Sequence, residues 1–503
     1  MVSSVLAFLG VLAASTSAAA PPPPPNNAAA ACRSLKSSFP QQVVSSADAA
    51  YPAWNGRWAD TAELAPSCIF RPKTAKDVSA AVKVLNKEAG PAGDACPFSI
   101  KCGGHTPWAG ANNVNNGVAI DLSGYMNTTT VSADKTIVSL GGGEVWRSAY
   151  AKTDGMGIAF PGGRCPGTGV GGVSLGGGYS WFQGSVGFVA DNVINFEVVL
   201  ASGEIVNANK TNHQDLFMAL KGGNNNFGVV TRVDLATFQH SQQIHGGLII
   251  VPVEASDAVL ENLQRFTDDD AAGGVHTNAG LTVEYFLNAT SGVGQILLWV
   301  IDTDAAGEHE AIRPFLEMQP QIVNRVATSS IAQYPSSVPA VTRVMMADLT
   351  FVNDLETLKG VHKITMQIFE ESKGIPGLVW DFQFEPLSRH VIDQSVARGG
   401  NSLGINGTAD DLLIMFIMPL WSDPAYDDQV YAAAQKWHSS VQAYTASMGK
   451  GHRFEFANYA AKFQNVMASY GPENLQFLRT VSRKYDPKQI FQRSVRGGYK
   501  LGV

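Results

Sequence analysis

The chain has 503 residues, which is enough for roughly two or three domains with large hydrophobic cores. Its net charge of −7 and the lack of any basic cluster argue against nucleic acid or an anionic membrane as a main partner. Hydrophobic residues make up 45% and charged residues 16%, as in an ordinary globular protein, and we assign no metal site.

The N-terminus has the composition of a secretion signal. The apolar run from 5 to 14 is too short to span a bilayer, and the small residues that follow it offer cleavage sites. No positively charged segment precedes the run. We predict a signal peptide over residues 1–20, then a Pro/Ala-rich leader and an N-terminal helix over 21–61. No other segment is suited to span a membrane.

Glycosylation sequons and cysteines fit a secreted protein. The predicted N-glycosylation sites are Asn127, Asn209, Asn288 and Asn406. The cysteines all lie in the first third of the chain and are Cys32, Cys68, Cys96, Cys102 and Cys165. Their odd number leaves at least one thiol without an internal disulfide partner, and Cys165 is the candidate for chemistry.

Short strands alternate with helices between residues 62 and 240, which predicts a domain of the α+β class. Strands are predicted within 67–72, 97–101, 118–122, 136–143, 193–200 and 229–235, and helices within 74–85 and 144–153.

The pattern changes at about residue 240, where longer strands are separated by amphipathic stretches. Strands are predicted at 246–253, 279–287 and 294–301, and helices near 255–266, 305–318, 354–371, 427–448 and 474–485. This order predicts a sheet covered by helices.

A glycine-rich loop is the most informative local feature. Nine of the seventeen residues from 162 to 178 are glycine, and Arg164 is the only charged side chain among them. Glycine allows backbone N–H groups to approach a bound anion closely. A solvated linker can be equally rich in glycine, but the apolar residues Val170, Leu175 and Trp181 favour a buried loop. We predict that this loop faces a phosphate-bearing cofactor.

The less favoured alternative for this loop is a dinucleotide-binding Rossmann turn. Gly167, Gly169 and Gly172 match GxGxxG, and Asp191 lies near the distance expected of the acidic partner. Three further glycines at 176–178 are expected to break the helix that such a turn requires.

His105 follows two glycines at the end of a predicted strand. Tight glycine turns after strands place side chains where ligands approach, which favours a functional role for His105. The alternative is a structural histidine.

Three blocks of sequence carry a resemblance to a known family. They are KCGGHTPWAGANN (101–113), GGRCPGTGVGGVSLGGGYSWFQGSVGFVADN (162–192) and LKGGNNNFGVVTRV (220–233). In this order and spacing they resemble the berberine-bridge-enzyme-like branch of the vanillyl-alcohol-oxidase flavoproteins, whose FAD-binding domain is of the PCMH type. The likeness covers essentially the whole mature chain, and residues 485–492 resemble the closing signature of fungal members.

The resemblance implies FAD bound between an FAD-binding domain (62–240) and a substrate-binding domain (241–453), with residues 454–503 completing the first. It further implies that His105 is bonded to the 8α-methyl of the flavin and Cys165 to ring carbon 6. A free thiol beside the ring is the alternative for Cys165. The other residues expected to contact FAD are Gly103, Gly104, Gly162, Gly163, Gly167, Thr168, Gly169, Gly171, Gly172, Gly176, Gly177, Gly178, Asn226, Phe227, Gly228, Val229 and Asn458.

The resemblance also suggests Tyr459 as the general base, although a packing tyrosine is the alternative. Gln383 and Glu385 alternate on one predicted strand and are expected to face the pocket. Trp380 and Trp421 are candidates for stacking on the substrate. Thr168 occupies the position of the family residue that gates oxygen, and its small size favours an oxidase. Relatives further imply a disulfide between Cys32 and Cys96, with Cys68 and Cys102 unassigned.

The leading hypothesis is therefore a secreted, monomeric FAD-dependent oxidase with a small-molecule substrate. It takes hydride from a CH–OH group of a sugar, alcohol or metabolite, and O2 accepts the electrons to give H2O2. A flavin dehydrogenase or oxidative cyclase with another acceptor is the second hypothesis. A noncatalytic protein that binds flavin or sugar is the third.

Overall fold

The computed structural model describes residues 26–268, 277–305, 309–334 and 342–502. The predicted signal peptide and the first residues of the leader lie outside this part of the chain. Within the described part, no helix is both long and apolar enough to cross a membrane.

The N-terminal half is built from short strands and helices. Its strands are β1 (Val43–Ser45), β2 (Cys68–Phe70), β3 (Phe98–Lys101), β4 (Val118–Asp121), β5 (Thr129–Val131), β6 (Ile137–Gly141), β7 (Ile158–Ala159), β8 (Val193–Val199), β9 (Ile205–Asn209), β10 (Val229–Ala236) and β11 (Phe238–Gln239). Its helices are α1 (Ala28–Ser38), α2 (Tyr51–Asn55), α3 (Ala75–Glu88), α4 (Trp146–Thr153), α5 (Val170–Leu175), α6 (Gln183–Val186) and α7 (Gln214–Leu220).

These strands form two main sheets. In the first, of order β1–β2–β4–β3, strands β2, β4 and β3 run parallel and β1 is antiparallel to β2. The second, of order β5–β6–β10–β8–β9, is antiparallel throughout. Helix α3 covers the first sheet because its apolar residues recur at helical spacing, and the Thr74 hydroxyl accepts a hydrogen bond from Asp77 N to cap its first turn.

The remaining chain forms a larger sheet and its covering helices. The strands are β12 (Gln243–Pro252), β13 (Ala279–Asn288), β14 (Gly294–Asp302), β15 (Val323–Asn324), β16 (Ala327–Ser330), β17 (Arg343–Val344), β18 (Ala347–Val352), β19 (Val379–Leu387), β20 (Leu412–Ile417), β21 (Leu420–Trp421) and β22 (Gly451–His452). The helices are α8 (Ser256–Thr267), α9 (Arg313–Leu316), α10 (Leu355–Ser372), α11 (Arg389–Ala397), α12 (Asp427–Ser447), α13 (Val466–Ser469), α14 (Pro472–Tyr485) and α15 (Ile490–Arg493).

The large sheet has the order β15–β12–β14–β13–β19–β20–β18–β22, and its strand pairs are antiparallel. Alternation along β13 separates its two faces. Val283, Tyr285 and Leu287 pack into a core with helices α8 and α10. Thr282, Glu284 and Phe286 face the other way and line a cavity. The helices therefore cover one face of this sheet and leave the other free for a site.

The C-terminal segment returns to the N-terminal half. Ile490 and Phe491 of α15 are buried in the core of the first sheet, and Phe98 N donates to Ser494 O. The segment before residue 62 contributes more than the predicted helix, because β1 extends the first sheet and Trp58 reaches the cavity.

The predicted α+β class is confirmed, and every strand predicted in the sequence is present, with shifts of a few residues at the ends. The helix predicted over 305–318 is wrong, since the described part of that range holds only the single turn α9. Ala305 adopts a positive φ of 55°, and Pro314, which has no N–H, stands at the start of α9. The glycines at 176–178 end α5 but do not prevent it.

The predicted disulfide between Cys32 and Cys96 is also wrong, since Cys32 pairs with Cys68 instead. Packing of α1 beside β2 brings the two Cα atoms to 5.9 Å, within the span of a disulfide. Cys96 is a free, buried thiol whose pKa is raised to about 12 by burial.

We expect Cys32→Ser to lower the free energy of unfolding by about 2–4 kcal/mol, because the bridge closes a long loop in the unfolded chain. Urea denaturation of the oxidised protein measures this change. Cys96→Ala is the matched control and is expected to cost about 1 kcal/mol, as an ordinary core truncation does. Equal losses in the two variants would contradict the pairing of Cys32 with Cys68.

Candidate active site

A cavity of about 600 Å³ lies between the glycine-rich loop and the free face of the large sheet. Residues 102–108 and most of residues 163–175 form one wall, and side chains of β13, β14 and β19 form the opposite wall. Residues 457–459 and 498–499, from the C-terminal segment, close it from the side. The three parts of the chain that enclose this cavity are far apart in sequence.

Two glycine turns meet at the first wall. A Cβ added to Gly103 would collide with the backbone N of Gly169, and one added to Gly169 would collide with Gly103 N. Both positions therefore require glycine. Gly172 differs, because a Cβ there would meet no atom within 4 Å and the residue lines the cavity. Here the loop presents backbone to open space, which suits close approach of a planar or phosphate-bearing group.

The predicted cofactor residues divide into two groups. Those that line the cavity are Gly103, Gly104, His105, Gly163, Cys165, Thr168, Gly169, Gly172, Gly228 and Asn458. Those outside the cavity lining are Gly162, Gly167, Gly171, Gly176, Gly177, Gly178, Asn226, Phe227 and Val229. Several of this second group pack against protein. Gly162 lies against Trp146, and Asn226 donates to Tyr499 O at 2.8 Å. These residues determine how the loops pack and do not form the cavity surface.

His105 and Cys165 converge on the cavity from different turns. The distance from Cys165 Sγ to His105 Nε2 is 3.6 Å. Trp58 stacks on the His105 ring with centroids 3.8 Å apart and planes inclined by 13°. Burial lowers the pKa of His105 to about 4 and raises the pKa of Cys165. The imidazole is therefore neutral near pH 7 and retains a ring nitrogen with a free lone pair. Trp58 was not predicted as a site residue.

Tyr459 lies beside an arginine and a glutamate. Arg164 Nη1 donates to Glu385 Oε2 at 2.8 Å, and Arg164 Nη2 makes a second contact with Glu385 Oε1. Nη2 also donates to the Tyr459 hydroxyl oxygen at 2.8 Å. The Tyr459 ring stacks on Phe416 with centroids 4.1 Å apart. Burial raises the pKa of Tyr459 and outweighs the opposing effect of Arg164.

Arg164 was not predicted as a site residue. Its position as the only charged side chain in the glycine-rich loop was the available signal, because a cation inside an apolar, glycine-rich segment requires a buried partner. Glu385 was expected to face the pocket. Gln383 lines the cavity, whereas Glu385 is fully buried behind its lining, where Thr282 also donates to Glu385 Oε2 at 3.0 Å.

A buried network holds the segment that carries Tyr459. Phe456 N donates to Asp348 Oδ2 at 2.6 Å, and Gln464 bridges Asp348 O and Ala461 N at 2.9 Å each. Asn458 accepts from Gly178 N at 3.0 Å and donates to Gly172 O at 3.1 Å. Asn458 thereby ties this segment to the glycine-rich loop.

The sheet wall carries a second acidic group that the sequence did not reveal. Glu284 and Asp381 both line the cavity and come from the neighbouring strands β13 and β19. Trp299 Nε1 donates to Glu284 Oε2 at 2.7 Å, and Gln383 Nε2 lies 3.3 Å from Asp381 Oδ1. Burial raises the pKa of both carboxyl groups, and the Glu284 charge raises that of Asp381 further.

The predicted stacking roles of Trp380 and Trp421 are wrong. Trp380 is fully buried in the helix-covered core, because it points to the opposite face of β19 from Asp381 and Gln383. Trp421 is also buried, and its Nε1 donates to Asp427 Oδ1 at 2.8 Å. The aromatic side chains that line the cavity are Trp58, Trp108, Tyr179, Trp181, Phe286, Trp299, Tyr334, Phe416, Tyr459 and Tyr499.

Comparison with known proteins agrees with this architecture. Residues 66–209 match the model of an FAD binding domain. The FAD-dependent monooxygenase sdcF of Emericella nidulans is 31% identical over 479 residues, which cover 93% of this chain and 98% of that protein.

Solved structures share the fold at lower identity. The xylooligosaccharide oxidase of Myceliophthora thermophila has a TM-score of 0.74 at 21% identity. The aligned residues cover 94% of this chain and 100% of the Myceliophthora chain. The glucooligosaccharide oxidase of Acremonium strictum, which carries a 6-S-cysteinyl, 8α-N1-histidyl FAD, has a TM-score of 0.73 at 19% identity. The aligned residues cover 94% of this chain and 99% of the Acremonium chain.

Proposed function

The chain belongs to the berberine-bridge-enzyme-like branch of the vanillyl-alcohol-oxidase flavoproteins, and we propose that this FAD-dependent oxidoreductase is an alcohol oxidase. In the proposed reaction a substrate CH–OH group loses a hydride from carbon and a proton from oxygen, which leaves a carbonyl. The two electrons pass to O2, which becomes H2O2. The observation that carries the proposal is one cavity that brings His105, Cys165 and Tyr459 together.

FAD fits the glycine-lined wall of the cavity. The backbone is open at Gly172, and the two side chains best suited to bond a flavin, His105 and Cys165, stand 3.6 Å apart at that wall. Bound FAD supplies the two-electron acceptor that no protein side chain provides. We assign both covalent attachments, His105 to the 8α-methyl carbon and Cys165 to ring carbon 6. The neutral imidazole of His105 supports the first bond, since a protonated ring has no lone pair to offer.

Tyr459 is assigned as the base that removes the substrate hydroxyl proton. Its oxygen accepts from Arg164, and its ring is held between Phe416 and Phe456. Removal of this proton as the hydride leaves prevents positive charge from accumulating on the substrate. Asn458 and the Asp348 network fix the backbone that carries Tyr459, so that its hydroxyl keeps one position.

The cavity wall formed by the large sheet is suited to bind a small organic alcohol, a sugar or another metabolite. Aromatic rings such as Trp299 and Phe286 stand beside the carboxyl groups of Glu284 and Asp381 on this wall. Apolar surfaces with a few fixed polar groups are typical of small-molecule sites.

Thr168 supports the choice of O2 as acceptor. It lines the cavity, and its hydroxyl donates to Cys165 O at 2.6 Å. This bond occupies the only polar group of the Thr168 side chain, which is as small as valine. A side chain this small at the cavity surface is what the proposed reaction of O2 with bound flavin requires.

Secretion is part of the proposal. The sequon residues Asn127 and Asn406 are exposed, and the bridge between Cys32 and Cys68 is typical of an oxidising compartment. Expression with the native N-terminus in a secreting fungal host should release a protein that begins after residue 20 and loses mass when treated with an N-glycosidase. An intact N-terminus on an intracellular product would contradict this part.

We expect kcat/KM to rise with pH between about pH 6 and pH 10, because the base acts only when deprotonated and burial raises the pKa of Tyr459 above its usual value of about 10. Below that pKa, each pH unit adds about tenfold to the active fraction. Steady-state assays with a donor that the protein oxidises measure how kcat/KM depends on pH. A plateau from neutral pH upward would contradict Tyr459 as the base.

The function is tested by mixing the FAD-loaded protein anaerobically with a panel of sugars, benzylic alcohols and aliphatic alcohols. Bleaching of the flavin identifies a donor, and O2 is then admitted. The proposal predicts one H2O2 formed per donor oxidised. Incorporation of labelled oxygen into the product would instead indicate a monooxygenase, the activity in the name of the Emericella relative. Bleaching that O2 does not reverse would indicate a dehydrogenase.

A further inference from the structure

The contacts of Arg164 join three separate parts of the chain. Arg164 comes from the glycine-rich loop, Glu385 and Thr282 come from the large sheet, and Tyr459 comes from the C-terminal segment. The side chain of Arg164 is 13% exposed and that of Glu385 is 0% exposed, so solvent screens their interaction little. Arg164 also lies over the ring of Tyr179, with 4.3 Å from Cζ to the centroid.

The hydrogen bond from Arg164 leaves the Tyr459 proton uncommitted. Arginine only donates, so the Tyr459 oxygen is the acceptor in their 2.8 Å contact. In the part of the chain that the structure describes, the Tyr459 hydroxyl has no other hydrogen-bond partner. Tyr459 also lines the cavity. The proton, or the lone pair that replaces it, is therefore available to a bound substrate.

The charges around Tyr459 oppose one another. Arg164 favours the phenolate, whereas the negative charge of Glu385 disfavours it. Arg164 itself is approached by Glu385, Tyr459 and Tyr179. Glu284 and Tyr334 interact with Arg164 at longer range. Glu385 thus holds Arg164 in place and at the same time reduces its effect on Tyr459.

We propose that Arg164 is the positioning residue for the base: it orients the Tyr459 hydroxyl toward the substrate and stabilises its phenolate form, and Glu385 fixes Arg164 while limiting that stabilisation. The inference rests on the proposed function, because it assigns a role in the same reaction. It assigns roles to Arg164 and Glu385, whose replacements must change the ionised fraction of Tyr459 in opposite directions.

The opposite signs follow from charge alone. Arg164→Gln removes the stabilising cation and leaves Glu385 unpaired beside Tyr459, so the phenolate becomes less favourable. Glu385→Gln removes the opposing anion but retains a carbonyl that accepts from Arg164, so the phenolate becomes more favourable. A charge within about 4–6 Å changes a pKa by about 1–3 units, so each replacement is expected to change the ionised fraction of Tyr459 at least about tenfold.

The test needs no substrate. Holoprotein with bound FAD is titrated in wild-type, Arg164→Gln, Arg164→Lys and Glu385→Gln forms, each paired with its Tyr459→Phe double variant. The difference in tyrosinate absorbance within each pair isolates Tyr459 from the other tyrosines. The ionised fraction is compared at the highest pH at which every variant stays folded, because burial raises the pKa of Tyr459 above its usual value of about 10.

We expect the ionised fraction to increase in the order Arg164→Gln, wild type, Glu385→Gln, with Arg164→Lys near the wild type because it keeps the charge. If Arg164→Gln does not fold, Arg164→Lys and Glu385→Gln still decide the outcome. Equal ionised fractions, or a decrease in Glu385→Gln, would overturn the inference. Failure of the donor panel would overturn the proposed oxidase but leave this titration interpretable.

Discussion

Replacement of Tyr459 by phenylalanine is expected to lower the rate of donor oxidation by about 100- to 10 000-fold, the usual contribution of a general base. The ring still packs on Phe416 and Phe456, so the fold and the bound flavin should be retained. Anaerobic stopped-flow mixing with the best donor of the panel, followed at the flavin absorbance, measures the hydride-transfer step directly.

Tyr179→Phe is the matched control for Tyr459→Phe. Tyr179 lines the same cavity, but its hydroxyl donates to Pro386 O at 2.6 Å and is not free to take a proton. We expect this variant to lose less than about tenfold in rate, the cost of one buried hydrogen bond. A Tyr459→Phe variant as active as the control would show that another group takes the proton.

Removal of both His105 and Cys165 is expected to abolish covalent flavin entirely. In His105→Ala and in Cys165→Ala, one bond remains and the flavin should stay with the protein after acid precipitation. In the double variant all of the flavin should appear in the supernatant. The absorbance of pellet and supernatant measures the distribution.

Cys102→Ala is the control for these cysteine and histidine variants. Cys102 is close to the same loop, where its Sγ would be 2.7 Å from a Cβ added to Gly171, but burial raises the pKa of its thiol to about 12. We expect it to retain covalent flavin in full. Flavin release from the His105→Ala variant alone would show that Cys165 is a free thiol.

The sequence predicted the fold well because hydrophobic periodicity decides where strands and helices form. The strands 246–253, 279–287 and 294–301 became β12, β13 and β14, and the long helices near 354–371 and 427–448 became α10 and α12. The wrong prediction over 305–318 has a local cause. The apolar spacing there suggested one continuous helix, but the positive φ of Ala305 and the missing N–H of Pro314 are incompatible with it.

The glycine-rich loop shows what sequence can and cannot supply. Nine glycines among residues 162–178 predicted a loop whose backbone approaches a bound anion, and this stays a prediction. The structure shows a close approach of another kind, between the backbones of Gly103 and Gly169. Sequence did not tell which glycines face the cavity. Gly172 faces the cavity, whereas Gly162 packs against Trp146 and Gly176 packs against Asn458.

Ionic partners in the site escaped prediction because they come from distant segments. Arg164 and Glu385 are 221 positions apart, and Arg164 and Tyr459 are 295 apart. No local pattern marks such pairs, since only the packing of the loop on the large sheet brings them together. The same reason explains the missed pair of Glu284 and Asp381, which lie on the neighbouring strands β13 and β19.

Peptide mapping of the wild-type holoprotein tests whether FAD is bonded to both His105 and Cys165. After proteolysis, the yellow fraction is separated and its mass is determined. We expect one species in which a single FAD joins the peptide that contains His105 to the peptide that contains Cys165. Recovery of both peptides unmodified, with all FAD released as free cofactor, would contradict it.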